Sequence, residues 1–151
     1  MKNILPAITL YQPWATWIMR EWKLIETRTH SRFACLKNQT ILIHAGKTTD
    51  GSEFATKNPY LSFEQIILNP DEVINGCLLG TAYVDDFKLL NDQYSKEALI
   101  DCGTVKRYGL FLKNIVKFEK AIPVKGEVGI WYYDMKRKIK VKKPTAQIQM
   151  F

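Results

Sequence analysis

The sequence is poor in the residues that metal centres and disulfide frameworks require. Its three cysteines, Cys35, Cys77 and Cys102, are far apart and odd in number, with no CxxC pair, and its histidines are His30 and His44. A structural zinc site needs four closely spaced soft ligands, so no metal or other cofactor is expected, and no disulfide scaffold either. The thiols read as small buried hydrophobes in a reducing compartment, which makes the expected location cytoplasmic. Long apolar runs are missing as well. None approaches the ~20 residues of a membrane span, and the opening MKNILPAITL, broken by Pro6, lacks the longer apolar core of a signal peptide. No membrane partner is expected. Absent too are a Walker loop, a dinucleotide fingerprint and a Ser-His-Asp set, and there is no internal repeat or linker rich in Gly and Ser.

What is present suffices for one ordinary domain. A chain of 151 residues with 46% hydrophobic side chains can hide roughly 68–70% of its unfolded surface without a staple. The formal net charge of +7 is unevenly placed. Residues 135–151 hold Lys136, Arg137, Lys138, Lys140, Lys142 and Lys143 with no Asp or Glu, so +7 less +6 leaves +1 for residues 1–134. The expected organisation is a nearly neutral domain over 1–134 and a basic C-terminal tail over 135–151. That tail either contacts phosphates through counterion release or is a solvated arm.

Residues 4–10 read as a strand, and Gln12-Pro13 opens a short helix in which Trp14, Trp17 and Ile18 share a face. Residues 23–30 alternate, placing Leu24, Glu26, Arg28 and His30 on one side. Residues 40–45 form another short strand, 46–61 a polar loop, and 62–69 a short helix ending at Asn69-Pro70. From Gly76 a long strand follows, with Gly80 at a bulge or close backbone approach. Residues 91–102 have surface-helix or loop composition. Residues 108–118 alternate, with a bulge signalled at Ile115-Val116, and 124–133 give the last strand. Many strands with two or three short helices in no βαβ order predict an α+β, mainly β fold: a small curved or closed sheet with helices on its rim.

Five stretches then carry a likeness. Thr9-Leu10-Tyr11-Gln12-Pro13-Trp14-Ala15 with Trp22-Lys23-Leu24-Ile25-Glu26-Thr27-Arg28 resembles the ASCH family's "QPWA" start and GxKxxExR motif. Leu42-Ile43-His44-Ala45, the stretch from Gly76 to Ala82, and the stretch from Pro123 to Trp131 resemble three later family strands in the same order. The departure is Trp22, where the family usually has Gly; a Trp held at positive φ there would be strained. The resemblance implies a PUA-like β-barrel with a cleft beside the QPW helix and the K-x-x-E-x-R segment. It implies recognition of RNA or a modified nucleoside, with hydrolase activity in some members. One branch resembles amidohydrolases of N4-acetylcytidine with a K-x-x-T spacing, and here Glu26 stands at the Thr position.

Taken on their own chemistry, Lys23, Glu26 and Arg28 set two cations around one carboxylate. Glu26 can act as a base or hold a water, Lys23 can contact a phosphate or carbonyl oxygen, and Arg28 can hold Glu26 in place. The alternative is a solvated strand edge of little consequence. Tyr11, Gln12 and Trp14 adjoin that cluster and suit a base, by stacking and by amide readout. His44 is either a further binding residue or a hydrogen-bonded core histidine. Lys23 and Glu26 are thus the candidate catalytic pair, and Tyr11, Gln12, Trp14, Arg28 and His44 the candidate nucleoside-binding set. The expected function is RNA or nucleoside binding, with hydrolysis of an acylated nucleoside or of single-stranded RNA as the alternative. Finally, Gln147-Ile148-Gln149-Met150-Phe151 resembles the pentapeptide by which bacterial replication and repair proteins dock on the sliding clamp, with Gln147, Met150 and Phe151 as its contacts. A DNA-metabolism accessory role would follow.

Overall fold

The computed structural model describes residues 3–66 and 72–145. Its frame is a seven-stranded sheet in the order β2-β5-β4-β3-β1-β6-β7. The strands are β1 (Ile4–Gln12), β2 (Ile25–Arg28), β3 (Thr40–Thr49), β4 (Cys77–Leu89), β5 (Tyr108–Pro123), β6 (Trp131–Asp134) and β7 (Ile139–Val141). Short helices connect them: α1 (Trp14–Met19), α2 (Glu53–Thr56), α3 (Phe63–Ile66) and α4 (Ser95–Ala98), with 3₁₀ turns at Arg32–Leu36 and Asp92–Tyr94. β1 and β3 run parallel, joined by a long crossover through α1 and β2, whereas the other pairs are antiparallel. The fold is α+β and mainly β, as the pattern predicts. The expected closed barrel is not formed: β2 and β7, of four and three residues, remain the two edges of the ladder.

The middle of the sheet is buried on both faces. Ile8, Ile41, Ile43 and Leu79 join α1's Trp17 and Ile18 in the main core, while Ala7, Leu42 and Leu78 pack with Trp131 and Tyr133 on the opposite side. Successive residues point to opposite faces, so a strand covered on both sides reads as an unbroken apolar run. That is why residues 4–10 and 40–45 show no polar alternation.

Curvature comes from irregular pairing in the two long strands. The β4–β5 register shifts three times, once between Thr81↔Val116 and Tyr83↔Lys113, where Asn114 has φ 51°. This is the bulge signalled at Ile115-Val116. Gly80 sits where the strands press closest: a Cβ there would lie 2.1 Å from the Val116 carbonyl oxygen and 2.7 Å from Met19 Sδ. Gly80→Ala is therefore expected to lower stability by about 1–3 kcal/mol, the usual cost of overpacking. Urea unfolding with an unchanged midpoint would show instead that β5 yields freely.

Several expectations change. Cys35, in the first 3₁₀ turn, is exposed, while Cys77 and Cys102 are buried as expected. The left-handed residue before Lys23 is Glu21, at φ 61°, so Trp22 escapes the strain; its ring packs on the core edge with the Arg20 guanidinium 5.6 Å above it. Residues 124–130 form a loop rather than the start of the last strand, with Gly129 at φ 78°. The sheet also enters the basic segment: β7 pairs with β6, and Asp134 Oδ1 accepts the Lys136 and Arg137 amides at the turn. Gln147, Met150 and Phe151 lie outside the described residues.

Candidate functional site

A cavity of about 1130 Å³ opens between β1, β2, the end of β3 and the 123–129 loop. Tyr11, Trp14, Lys23, Glu26, Arg28 and His44 all line it. Gln12 does not. Its side chain is buried in the wall, where Nε2 donates to the Ile74 carbonyl at 2.8 Å and Oε1 accepts the Thr16 amide at 3.0 Å. The Gln12–Pro13 peptide bond is cis, and Gln12 holds the first turn of α1 in place of a capping Ser or Asp.

The ionic cluster forms because β2 pairs with the buried end of β5, Glu26 opposite Leu110. Glu26 and Arg28 then share a strand face, and Arg28 Nη1 meets Glu26 Oε2 at 2.5 Å. Lys23 precedes the strand; its amide donates to Trp17 O at the end of α1, turning its side chain inward. The Nζ of Lys23 donates to the Ala98 carbonyl, lies 3.7 Å from Glu26 Oε1 and sits 4.9 Å from the centre of the Trp14 ring. Lys23 is 1% exposed and Glu26 4%. Burial pushes the Lys23 ammonium down to about 8, with Glu26 partly offsetting that loss. An amine brought down to about 8, beside a carboxylate in a recess, can donate to an acceptor oxygen or, in its neutral fraction, act on a carbonyl.

The aromatic wall has two different members. Tyr11 is 55% exposed and offers an open face. Trp14 is nearly buried, edge-on to Trp17 with centroids 5.1 Å apart, and its indole N–H donates to Asp50 Oδ2 at 2.7 Å. Burial works to raise the Asp50 carboxyl, but the bonds from Trp14 and Ser52 hold it below the ordinary range. Trp14 and Asp50 thus brace the wall, and Tyr11 presents its free surface.

His44 belongs to a buried hydrogen-bond chain. Its Nε2 lies 2.7 Å from the Val124 carbonyl, which can only accept, so Nε2 carries the proton and Nδ1 accepts from Thr9 Oγ1 at 3.2 Å. Thr9 in turn accepts from Trp131 Nε1 at 3.0 Å. Burial lowers the His44 ring below its ordinary value, keeping it neutral. Both nitrogens are occupied: Nε2 ties the 124–130 loop to β3, and Nδ1 ties β3 to Thr9 of β1. A Cβ on Gly126 would lie 2.6 Å from the His44 ring, so only glycine lets the loop settle there.

Sequence reasoning missed the other wall residues. Asp50 carries no local signal, since only the folded chain brings it to Trp14. Arg32, Lys47 and Lys125 join Lys23 and Arg28 around the cavity against Glu26, Asp50 and Glu127, five cations to three carboxylates. Gly126 and Gly129 were the available hints of a loop. Among the described residues, no three His, Cys, Asp or Glu side chains gather as a metal site, and no helix is long and apolar enough to cross a membrane.

No known protein-family profile matches the sequence, and no curated protein matches it. Solved structures do. The chain is similar to ASCH from Zymomonas mobilis at 18% identity and a TM-score of 0.49, covering 78% of this chain and 72% of that one. Two single-residue variants of the Zymomonas protein superpose at TM-scores of 0.52 and 0.51, with 17% and 18% identity. They cover 79% and 78% of this chain and 73% and 74% of theirs. By those two superpositions, the protein has the ASCH-domain fold.

Proposed function

We propose that the cavity binds a nucleobase, as part of RNA or as a free modified nucleoside. The observation that carries this reading is the convergence of Lys23, Glu26 and Arg28 in one recess beside the open face of Tyr11. Tyr11 supplies a stacking surface that any base can use. Lys23 supplies ammonium N–H donors for a base carbonyl, and Glu26 keeps lone pairs for an exocyclic amine. Arg32, Lys47 and Lys125, around the same cavity, suit the phosphate of a nucleotide.

Hydrolysis is the second reading, favoured by the lowered Lys23 beside Glu26. There Glu26 would act as the base on a water attacking an acyl carbonyl or phosphodiester, with Lys23 steadying the developing negative charge. Turnover of N4-acetylcytidine or single-stranded RNA that persists in Glu26→Gln would remove Glu26 from that role.

The binding test uses Tyr11→Ala, because an exposed ring can be removed without touching the core. Anisotropy titration with a labelled single-stranded RNA is expected to show roughly 5- to 150-fold weaker binding, the equivalent of about 1–3 kcal/mol of stacking. Equal affinity in Tyr11→Ala and in Arg28→Ala at physiological salt would take the cavity out of the account.

A further inference from the structure

Beside the cavity lies a second recess of about 600 Å³, floored by the β6–β7 hairpin. Glu127 lines both. Its carboxylate meets Lys140 Nζ at 3.2 Å, so the wall between the two recesses is an ion pair rather than a bare negative charge. Beyond it, Lys142 and Lys143 are exposed at the recess and have no carboxylate partner among the described residues. Asp134, the nearest acid in sequence, faces the turn, where the Lys136 and Arg137 amides occupy it. Tyr132 adds a half-buried ring to the recess. A free nucleoside would have no use for such a basic extension. A chain of phosphates would.

We propose that the ligand is a single strand of nucleic acid whose phosphates continue from the cavity, past the Glu127–Lys140 pair, onto Lys142 and Lys143. This rests on the nucleobase reading of the cavity. A base seated there must be unpaired, which a single strand supplies without the cost of flipping it from a duplex, and its neighbours are then free to follow the basic surface. The hairpin fixes where that surface begins, because β7 is hydrogen-bonded to β6.

The test compares uridine monophosphate with an eight-nucleotide oligouridylate on the intact chain and on the double variant Lys142→Gln/Lys143→Gln, from 50 to 200 mM salt. The octamer is expected to bind more tightly than the mononucleotide, and the double variant to weaken the octamer alone. Loss of two phosphate contacts should flatten the slope of log K against log salt by about 1.4, so the fall in affinity over that range becomes roughly sevenfold smaller. An octamer no tighter than the mononucleotide, or a variant with an unchanged slope, overturns the strand proposal and leaves the nucleobase reading standing. If neither probe binds, both fall. Octamer binding that survives Tyr11→Ala yet drops in the lysine variant places the ligand on the hairpin alone, which also overturns the continuous track.

Discussion

Glu26→Gln is expected to destabilise the domain by about 3–5 kcal/mol at pH 7, the range for removing one partner of a buried ion pair. Two cations depend on this carboxylate, Lys23 at 3.7 Å and Arg28 at 2.5 Å, and Lys23 is almost wholly out of water. The amide keeps the shape and loses the charge. Lys23 can limit the damage by releasing its proton, because its ammonium is already held near 8 and Glu26 is what raises it. The loss should therefore sit toward 3 kcal/mol, about 6–12 °C in melting temperature for a domain of this size. It should also shrink by pH 9, where Lys23 is mostly neutral in the parent protein too. Lys23→Met/Glu26→Gln should lie closer to the parent than the two single losses summed, since it removes the unpaired charge together with its partner. A loss below about 1 kcal/mol at pH 7 would mean that Lys23 carries no buried charge dependent on Glu26, and one that does not change with pH would mean that Lys23 does not change protonation over that range.

The strands were legible where their burial was simple. Residues 4–10 and 40–45 are covered on both faces, and an apolar run of that length says strand almost irrespective of context. Gly80 and the Ile115-Val116 doublet announced the strained pairing of β4 with β5, because a missing Cβ and a broken alternation are local marks of a bulge. The opposite failure is the stretch from Val124 to Ile130. Its valines suggest a strand, yet Val128 stands fully in solvent, and the segment is held by the bond from His44 of β3 to the Val124 carbonyl, with Gly126 close against His44 and Thr9. No local pattern encodes a partner 80 residues away. The open ladder was hidden for a similar reason: closure depends on whether two short edge strands meet, which is a property of accumulated twist rather than of either sequence.

The site divides along the same line. Glu26 and Arg28 were placed together by strand periodicity alone, and Lys23 by its closeness in sequence. Gln12 and Trp14 sit just as near, but tertiary hydrogen bonds decide their roles. Gln12 serves the backbone of Ile74 and Thr16, and Trp14 serves Asp50. The likeness to a family motif could not separate a residue that faces a ligand from one that builds the wall behind it, because both are needed for the same cleft.

Lys23→Met should erase a contribution to stability that grows with pH in the parent protein. The folded ammonium lies near 8, below its ordinary value of 10.5, chiefly because it is buried. The unfolded chain therefore holds that proton more tightly, and between pH 8 and 10.5 unfolding takes up a proton. This contribution then climbs with pH across this window, by up to about 3 kcal/mol, and is flat below it. Other groups pull the opposite way: burial raises Cys77, Cys102, Tyr132 and Tyr133, so each favours unfolding as the pH passes its ordinary value. The informative quantity is thus the parent-minus-variant difference in unfolding free energy, in which those groups largely cancel. It should increase from pH 7 to pH 10.5. On the nucleobase reading the same proton governs ligand contact, since losing the ammonium charge weakens both the donor to a base carbonyl and the pairing with Glu26. Affinity for single-stranded RNA should accordingly fall as pH rises through 8 in the parent protein and stay level in Lys23→Met. A difference curve that is flat across the window would show that Lys23 keeps its proton in the folded state, and the amine would then serve the cavity as a fixed charge.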